Sequence, residues 1–557
     1  IMKSFRRMVP ALAALLTAVS AGAQNAQLDG LLVTASQFTP VDMMKYSQNN
    51  YSFTTGRVAA MGGAFTALGG DMASMGINPA GLGMYRNSVW GLSPAMTFTG
   101  NRNAYATAHD NNASRFSFNN IGTVLQLSQR SNGLVSFNLG LSYNKMEDFN
   151  YRGSVRLPAA AGGSLLNIFQ LQLNGLYDFF NTGTWNGLSE KDLNSDPFNN
   201  GNIYIDEWGA VLGYQSGLFP GLGGDNMYGL NGLPENSNIT PSLRYDSRGS
   251  VGEYNIAGGF NINNILYLGF DFGFRDIYQR LSLYYSEDYE GNYSGTAQQY
   301  LRQMNYNQYL LAQGSAFNFK IGAIVRPIPQ LRIGIAYHSP SYSSVRKEYY
   351  GSMGTSRYGD PNSKHYTSST VGYDYAFNTP SRLLTGIAFT LGDYFALSFD
   401  YERVWYNKMR YMSETYDVQE SFRTAIGNDY RAADNFRVGV EVKPIPGFAL
   451  RAGYAYYGSP IKEKDEAGND LIFKNIFTTS SNHISAGVGI WLGRATTLDI
   501  AYVYSRYKVA PYGLYYYNGP ARLPQGMVGE VTYKPIGDIT DGILNRHTVT
   551  MSFNFFF

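Results

Sequence analysis

The residues that could support catalysis or metal binding are few in this sequence. Its five histidines are His109, His338, His365, His483 and His547. They are far apart and form no H-E-x-x-H or similar metal-binding spacing. No cysteine is present, which excludes thiolate and iron–sulfur chemistry. Residues 213–217 (GYQSG) have one residue too many before the serine to form a G-x-S-x-G nucleophile elbow. We therefore expect neither an enzyme nor a bound metal or other cofactor.

Charged residues on the polar faces of predicted strands are the other candidates for chemistry. They are Asp271, Arg275, Lys320, Arg332, Asp400, Glu402, Arg437, Glu441, Arg451 and Asp499. Two interpretations stay open. Either acids and bases pair with one another inside the protein, or one arginine or lysine binds the carboxylate of a ligand. The sequence does not identify such a residue.

Composition narrows the class of protein. Charged residues make up 15% of the 557 residues, against roughly 25% in soluble proteins. Aromatic residues also reach 15%, and 62 residues are glycine. The mean hydropathy of −0.24 argues against a bundle of membrane-spanning helices. A net charge of +2 offers no field for binding nucleic acid.

The N-terminus has the pattern of a secretory signal peptide. Lys3, Arg6 and Arg7 precede an apolar stretch at 8–19, and Ala-Gly-Ala at 21–23 fits the small-residue cleavage pattern. A membrane anchor is disfavoured because the apolar stretch is short and contains a proline. We expect a signal peptide at 1–23, and hence export.

From about residue 88 onward, apolar residues alternate with small or polar ones at period two, which is typical of strands with two different faces. Residues 395–402 (FALSFDYE) and 331–338 (LRIGIAYH) show this clearly. The pattern predicts fourteen strands, at about 88–99, 114–129, 133–149, 247–262, 264–286, 310–326, 330–348, 370–391, 393–411, 430–443, 446–458, 480–492, 495–511 and 544–557.

Short and long connections alternate along these strands, as turns and loops do in bacterial outer-membrane barrels. The predicted fold is all-β, a 14-stranded antiparallel transmembrane β-barrel. The even strand count places both termini in the periplasm and the long loops outside the cell. The longest loop is at about 150–246. The aromatic C-terminus at Phe557 is usual for substrates of the barrel-assembly machinery.

A barrel of this size needs a plug. Fourteen strands at ~4.8 Å spacing and a tilt of about 40° enclose a cylinder roughly 28 Å wide. Side chains of the wall cannot fill that lumen. Residues 24–87 lack strand alternation and are the natural hatch inside a barrel of residues 88–557.

The hatch carries a recognisable motif. Residues 56–65 (GRVAAMGGAF) are followed by DMAS at 71–74 and NPAGL at 78–82. This arrangement resembles the N-terminal hatch of the FadL/TodX family, and several hairpins, such as KPIPGFALRAGYAYYGSP, look like family hairpins. The resemblance implies an outer-membrane channel for passive uptake of hydrophobic compounds such as long-chain fatty acids.

The resemblance also implies site residues. The matching hatch and gating motif comprises Gly62, Gly63, Asn78, Pro79, Ala80 and Gly81. Rearrangement of the family's hatch is thought to open a path from an internal pocket. The family's ligand leaves sideways beside a kinked third strand, here about 133–149, where Gly140 is the expected kink.

One loop segment has helical rather than strand periodicity. Leu165, Ile168, Phe169 and Leu173 form the apolar stripe of an amphipathic helix. This helix is either a lid over the barrel mouth or part of an extracellular groove that collects ligand.

Other functions remain open. A FadL-like barrel can also be a secretion or interaction component, as in type IX secretion, with a secretion-machinery partner. Haem uptake would use a loop histidine such as His109 or His365. The remaining expected partners are outer-membrane lipid, lipopolysaccharide and the barrel-assembly machinery.

Overall fold

The computed structural model describes residues 38–102, 112–156, 159–161, 164–175, 186–223, 226–233, 238–291, 300–358, 363–413, 415–462, 480–509 and 542–557. The predicted signal peptide and His109 lie outside these residues.

Fourteen antiparallel wall strands form one closed sheet, in which each strand pairs with its neighbours in sequence and β1 pairs with β14. The first seven are β1 Val89–Arg102, β2 Asn112–Gln129, β3 Leu134–Asp148 with Tyr151–Arg156 and Ala160–Ala161, β4 Asn238–Ile262, β5 Leu266–Glu290, β6 Leu301–Ile328, and β7 Leu331–His338 with Tyr342–Arg357. The other seven are β8 Lys364–Thr367 with Val371–Asn378 and Arg382–Leu391, β9 Phe395–Val404 with Arg410–Met412, β10 Ala433–Ile445, β11 Phe448–Tyr457, β12 Ser481–Trp491, β13 Thr496–Val509 and β14 Gly542–Phe556. The predicted fold class is confirmed.

Among the described residues, prolines stand at interruptions of β7 and β8. Pro340 lies between the segments of β7, and Pro380 lies between the last two segments of β8. Proline has no N–H to give to the ladder. Neighbouring groups restore the pairing, because Thr379 N donates to Ser341 O at 3.0 Å and Ser341 N donates to the Thr379 hydroxyl at 2.8 Å.

Strands β4 to β7 run well into the segments that alternation assigned to loops. Within the membrane part of β5, Phe272 and Phe274 are exposed and Asp271 is buried. Farther along the strand the polarity reverses: Tyr285 is buried and faces inward, and Arg280 is exposed on the outside. The outward face meets water there instead of lipid, so the membrane pattern ends although the hydrogen-bonded ladder continues.

In the part of the chain that the structure describes, three short helices lie inside the barrel, namely α1 Pro40–Tyr46, α2 Gly56–Ala60 and α3 Ser74–Ile77. The 3₁₀ turns Tyr51–Phe53 and Pro79–Met84 complete this hatch. The connections between strands hold α4 Leu165–Leu173, α5 Glu190–Asn194, α6 Trp208–Gln215 and α7 Tyr416–Asp429, with 3₁₀ turns at Pro197–Asn199, Ile205–Glu207 and Tyr406–Lys408. Within the described residues, none of the helices has the length and apolar character needed to cross a bilayer.

A charge placed on the lipid-facing side of the wall should destabilise the barrel. Ile335 is 49% exposed on the outward face of β7. We expect Ile335→Arg to lower the free energy of unfolding by about 2–4 kcal/mol, because lipid cannot solvate the guanidinium near the midplane. Ser344→Arg, on the same face beyond the apolar band, should cost about 0–1 kcal/mol. Urea titrations in phospholipid vesicles measure both, and equal costs would contradict the assignment of faces.

Candidate functional site

The asparagine of the hatch motif connects the hatch to two wall strands. Asn78 is fully buried, and its Nδ2 donates to Thr66 O at 2.7 Å. The same nitrogen lies 3.3 Å from Ala323 O in β6 and 3.4 Å from Ile335 O in β7. The side-chain oxygen accepts from Ala80 N at 3.1 Å and caps the 3₁₀ turn that Pro79 begins. The Asn78 side chain therefore forms hydrogen bonds with backbone groups of both the hatch and the wall.

The glycines of the motif allow close approach and positive φ. Gly62 has φ +64° and Gly63 has φ +80°, a region that favours glycine. A Cβ on Gly62 would lie 2.9 Å from backbone atoms of Tyr454. One on Gly81 would lie 2.8 Å from the Ser74 side chain. Gly62 and Asn78 thus contact different wall strands, whereas Gly81 packs against the hatch itself.

Wall glycines form a seat for this hatch. An added Cβ on Gly322 would overlap Asn78 Oδ1, and one on Gly453 would overlap Gly62 N. Other wall glycines whose Cβ would meet hatch atoms are Gly91, Gly140, Gly259, Gly269, Gly334, Gly439 and Gly487. Their positions on the polar faces were visible in the sequence, but their hatch partners were not.

A first ion-pair group joins hatch helix α2 to the wall. Arg57 forms a bidentate pair with Glu441, with both nitrogen–oxygen distances at 3.0 Å. Arg451 contacts the same carboxylate at 2.6 Å and Asp499 at 2.6 Å. The hatch thus contributes one arginine to a network of wall charges, in which Lys443 also lies 3.9 Å from Glu441.

A second group lies around Glu402. Arg437 contacts Glu402 at 2.6 Å, and Arg382 contacts it at 3.1 Å. Asp400 accepts from both the backbone nitrogen and the hydroxyl of hatch residue Thr66, at 2.8 and 2.7 Å. The carboxylates of this group are fully buried.

A third group lies between β4, β5 and β6. Lys320 pairs with Glu253 and, at 2.8 Å, with Asp271. Arg275 pairs with Glu253 at 2.9 Å and donates to hatch residue Asn49 at 2.7 Å.

Of the ten charges singled out in the sequence, nine belong to these groups, and Arg332 donates to the Leu68 carbonyl at 2.6 Å. The structure favours the pairing interpretation over a free cation for a ligand carboxylate.

The wall opens between β2 and β3. Their pairing ends at Asn120–Asn144, although β1 stays paired with β2 out to Asn112. The opening continues into an outward-facing cavity of about 860 Å³. Its lining includes Phe116, Phe118 and Ile121 of β2, Leu141 and Tyr143 of β3, and Tyr254 of β4. Apolar side chains thus line the outer part of a break in the wall.

The hatch covers the inner side of this opening. Lys145 of β3 donates to Ser117 of β2 at 3.1 Å and pairs with Asp148. The Lys145 ammonium lies 5.0 Å from the ring centre of Phe53 in the hatch. Asn50 N donates to Met146 O at 2.8 Å. The 3₁₀ turn Tyr51–Phe53 and its cap therefore stand directly behind the opening.

A comparison with known proteins identifies the family of this chain. The family model described as outer membrane protein transport protein (OMPP1/FadL/TodX) matches residues 228–512. The chain belongs to this family. Its members are transport proteins of the outer membrane and not enzymes. A search of curated proteins found no match.

The solved structures that the chain matches include three channels or channel homologues. The CymD monoaromatic hydrocarbon channel has a TM-score of 0.46 and 11% identity, covering 91% of this chain and 99% of that chain. The toluene transporter TbuX of Ralstonia pickettii has 0.45 and 14%, covering 91% and 99%. A Pseudomonas aeruginosa FadL homologue has 0.45 and 12%, covering 91% and 98%.

The expected kink residue of this FadL/TodX-family chain lies in regular sheet. Gly140 pairs with Val124 of β2 and Ala257 of β4. Its missing Cβ leaves room for the side chains of Met75 and Leu82 in the hatch. The register of β3 shifts farther along, between Lys145 and Glu147, where the wall opens.

The predicted amphipathic helix is α4, and its stripe is covered. Leu165, Ile168, Phe169 and Leu173 are all buried. They pack in one apolar cluster with α6 and with the inward faces of β4 to β7, and the Phe169 ring contacts the Tyr306 ring at 5.2 Å. In the structure α4 therefore packs inside the barrel mouth with its apolar stripe covered by the protein itself. We call α4 in this position the lid.

A buried carboxylate holds the start of this lid. Glu287 of β5 accepts from Leu165 N at 2.8 Å and from the Ser164 hydroxyl. Tyr285 and Tyr289 donate to the same carboxylate at 2.6 and 2.5 Å. Burial raises the pKa of Glu287, and these hydrogen bonds oppose that rise. Glu287 fell in a predicted loop, so this contact could not be predicted from the sequence.

Enlarging a seat glycine should displace the hatch. In Gly322→Val the new side chain would occupy the position of Asn78 Oδ1. We expect hydrophilic antibiotics to enter cells expressing this variant at least several-fold faster than cells with the wild type. Gly493→Val is the matched control, because nothing lies within 4 Å of a Cβ there. If both variants fold and antibiotics enter at the same rate, the proposed role of Gly322 in holding the hatch would be contradicted.

Removing the buried carboxylate should loosen the lid. Glu287→Ala leaves the donors of Ser164, Leu165, Tyr285 and Tyr289 without this acceptor. We expect backbone amides of α4 to exchange with deuterium at least ten-fold faster, measured by mass spectrometry. Glu290→Ala, at the exposed end of the same strand, should leave the exchange of α4 unchanged. Unchanged exchange in Glu287→Ala would show that the apolar cluster alone holds α4.

Proposed function

We propose that this outer-membrane transport protein takes up hydrophobic compounds, with long-chain fatty acids the leading class, and releases them sideways through the opening between β2 and β3. The long loops would face outward and both termini the periplasm. The observation that carries the proposal is the unpaired stretch of β2 and β3 with apolar side chains on its lipid side. A water-filled pore offers a hydrophobic molecule no favourable path, whereas a break in the wall connects the interior with lipid.

The hatch would act as the gate of this route. Asn50 and Phe53 lie between the interior and the opening. The backbone N of Asn50 donates to Met146 O and its Nδ2 donates to the Tyr507 hydroxyl, while Lys145 and Arg546 lie over the Phe53 ring. Displacement of this turn would join the interior to the opening without moving the more deeply seated Asn78 motif. The motif of Gly62, Gly63, Asn78, Pro79, Ala80 and Gly81 would then hold the hatch in place during transport.

Capture from outside would begin at the lid. The apolar stripe of Leu165, Ile168, Phe169 and Leu173 is covered by its own protein, so a ligand would compete for the same surface. An apolar ligand that replaces these contacts loses little of the hydrophobic stabilisation that the closed lid provides. Among the described residues, no apolar surface of this kind adjoins the histidine that haem uptake would use. His365 is exposed, and its Nε2 lies 3.4 Å from the Thr367 hydroxyl.

Blocking the opening should stop uptake. Ser117 lines the opening and contacts Lys145 across it. We expect Ser117→Trp to lower the initial rate of radiolabelled oleate uptake at least five-fold in cells expressing the protein. Ser114→Trp is the control, since Ser114 lies on the same strand opposite Phe98 and away from Lys145. Toluene, assayed in parallel, tests whether a neutral aromatic compound uses the same route.

Equal oleate uptake by the two tryptophan variants, at equal amounts of folded protein, would refute the lateral route. Oleate uptake by cells that express the wild type no faster than by cells lacking the protein would refute uptake itself. A protein partner that co-purifies with the barrel while oleate uptake stays at background would favour the secretion interpretation.

A further inference from the structure

The outward face of β3 to β7 carries an unusual surface beyond the lipid-facing band. We propose that this face binds the phosphorylated, sugar-bearing headgroup of lipopolysaccharide in the outer leaflet. The inference rests on the proposed outward orientation of the long loops, and it does not depend on the transport route.

Arginines dominate the part of this face that is nearest to the band. Arg152 and Arg248 both contact the carboxylate of Asp246, at 2.9 and 3.0 Å. Arg248 is paired in register with Arg280 of β5, and Arg244 lies one outward position beyond Asp246 on β4. We call these four arginines with Asp246 the arginine cluster.

The cluster has more positive charge than its own carboxylate can neutralise. Asp246 is shared by two guanidinium groups, while the like-charged Arg248 and Arg280 stand directly opposite each other on neighbouring strands. Such a pair destabilises a sheet when nothing anionic lies between the charges. Side chains of Arg152 and Arg248 are 45% and 47% exposed, so an anion can reach them. By contrast, Arg346 on β7 already contacts both Glu348 and Asp374.

The position of the cluster fits a lipid headgroup. The outward residues of β5 change character along the strand. In chain order they are Phe272, Phe274, Asp276, Tyr278 and Arg280, so the arginine stands just past the tyrosine that ends the apolar band. Tyrosine is common where a membrane protein passes from hydrocarbon to headgroups. An acyl chain against the phenylalanines would place its phosphate beside Arg280. Guanidinium groups bind phosphate in paired hydrogen bonds.

Beyond the cluster, three tyrosine rings follow one another across neighbouring strands. Tyr284 of β5 meets Tyr309 of β6 edge-on at 5.9 Å, and Tyr309 stacks on Tyr350 of β7 at 4.6 Å. Arg244 covers the Tyr284 ring at 4.6 Å. All three rings are half-buried and point outward. Flat aromatic faces next to hydrogen-bonding groups suit the apolar faces of sugar rings, which lie above the phosphates in this glycolipid.

Binding of a defined lipopolysaccharide tests the inference. The full-length protein, purified in mild detergent, would be titrated with a phosphorylated rough-type lipopolysaccharide and observed by native mass spectrometry. We expect the double variant R248Q/R280Q to bind at least ten-fold more weakly than the wild type. The control R403Q, which removes an exposed wall arginine paired with Asp434, should bind as the wild type does. The same lipid after phosphatase treatment should lose most of its affinity.

Wild-type affinity in folded R248Q/R280Q, or undiminished affinity of the dephosphorylated lipid, would overturn the inference. Heat-modifiable mobility in gels shows whether each variant is folded. If the double variant does not fold, R280Q alone should still weaken binding at least three-fold, and unchanged binding would overturn the inference equally. Oleate uptake, measured in the same variants, should stay at the wild-type rate. Absence of uptake by the wild type together with arginine-dependent lipid binding would refute the proposed function and leave this inference standing.

Discussion

The width of a fourteen-stranded barrel is the constraint on which the rest of this structure depends. Wall side chains cannot close a lumen of roughly 28 Å, so a separate segment must do so and must approach the wall closely. Glycine on the inward face makes that approach possible. At Gly322 and Gly453 the backbone or side chains of the hatch occupy the space where a Cβ would stand. Asn78 then uses the exposed backbone carbonyls of the wall as hydrogen-bond acceptors.

Buried charge is the second consequence of that constraint. A polar inner face is needed to keep lipid-facing and lumen-facing sides distinct, and the hatch covers that polar face. Several carboxylates are therefore shared between two bases, as Glu441 is shared between Arg57 of the hatch and Arg451 of the wall. Removing one partner of a buried pair costs about 3–5 kcal/mol. The hatch body is thus firmly held. The turn behind the opening consists of uncharged residues, so hydrogen bonds such as those of Asn50 with Met146 O and the Tyr507 hydroxyl hold it without an ion pair. In the proposed gating these hydrogen bonds would break while the ion pairs of the hatch stay formed.

The sequence predicts the membrane part of this fold well, because lipid outside and a polar interior impose period-two alternation on every strand. The prediction ends where the physical environment changes. Beyond the membrane, Tyr285 and Tyr306 face an apolar interior while arginines face water, so the ladder continues through segments that were predicted as loops. The hatch motif was visible, but its seat was not, since Gly322 and Asn78 are far apart in sequence. The helix of the Leu165 stripe was predicted, and only tertiary contacts decide that it is a lid. The family resemblance pointed to the third strand for the lateral exit, but the position of the opening along β3 could not be predicted, because a register shift at Lys145 leaves no mark on composition.

A reversible tether across the proposed gate tests the central claim most directly. The chain has no cysteine, so an engineered pair of cysteines can form a disulfide only with each other within the molecule. Asn50 and Met146 are joined by a backbone hydrogen bond between hatch and β3, and N50C/M146C would link them. Oleate uptake should fall to background when the pair is oxidised, as verified by mass spectrometry, and should return on reduction, while each single cysteine variant transports in both conditions. Uptake at the same rate in the oxidised and reduced forms would contradict gating of the opening by the hatch.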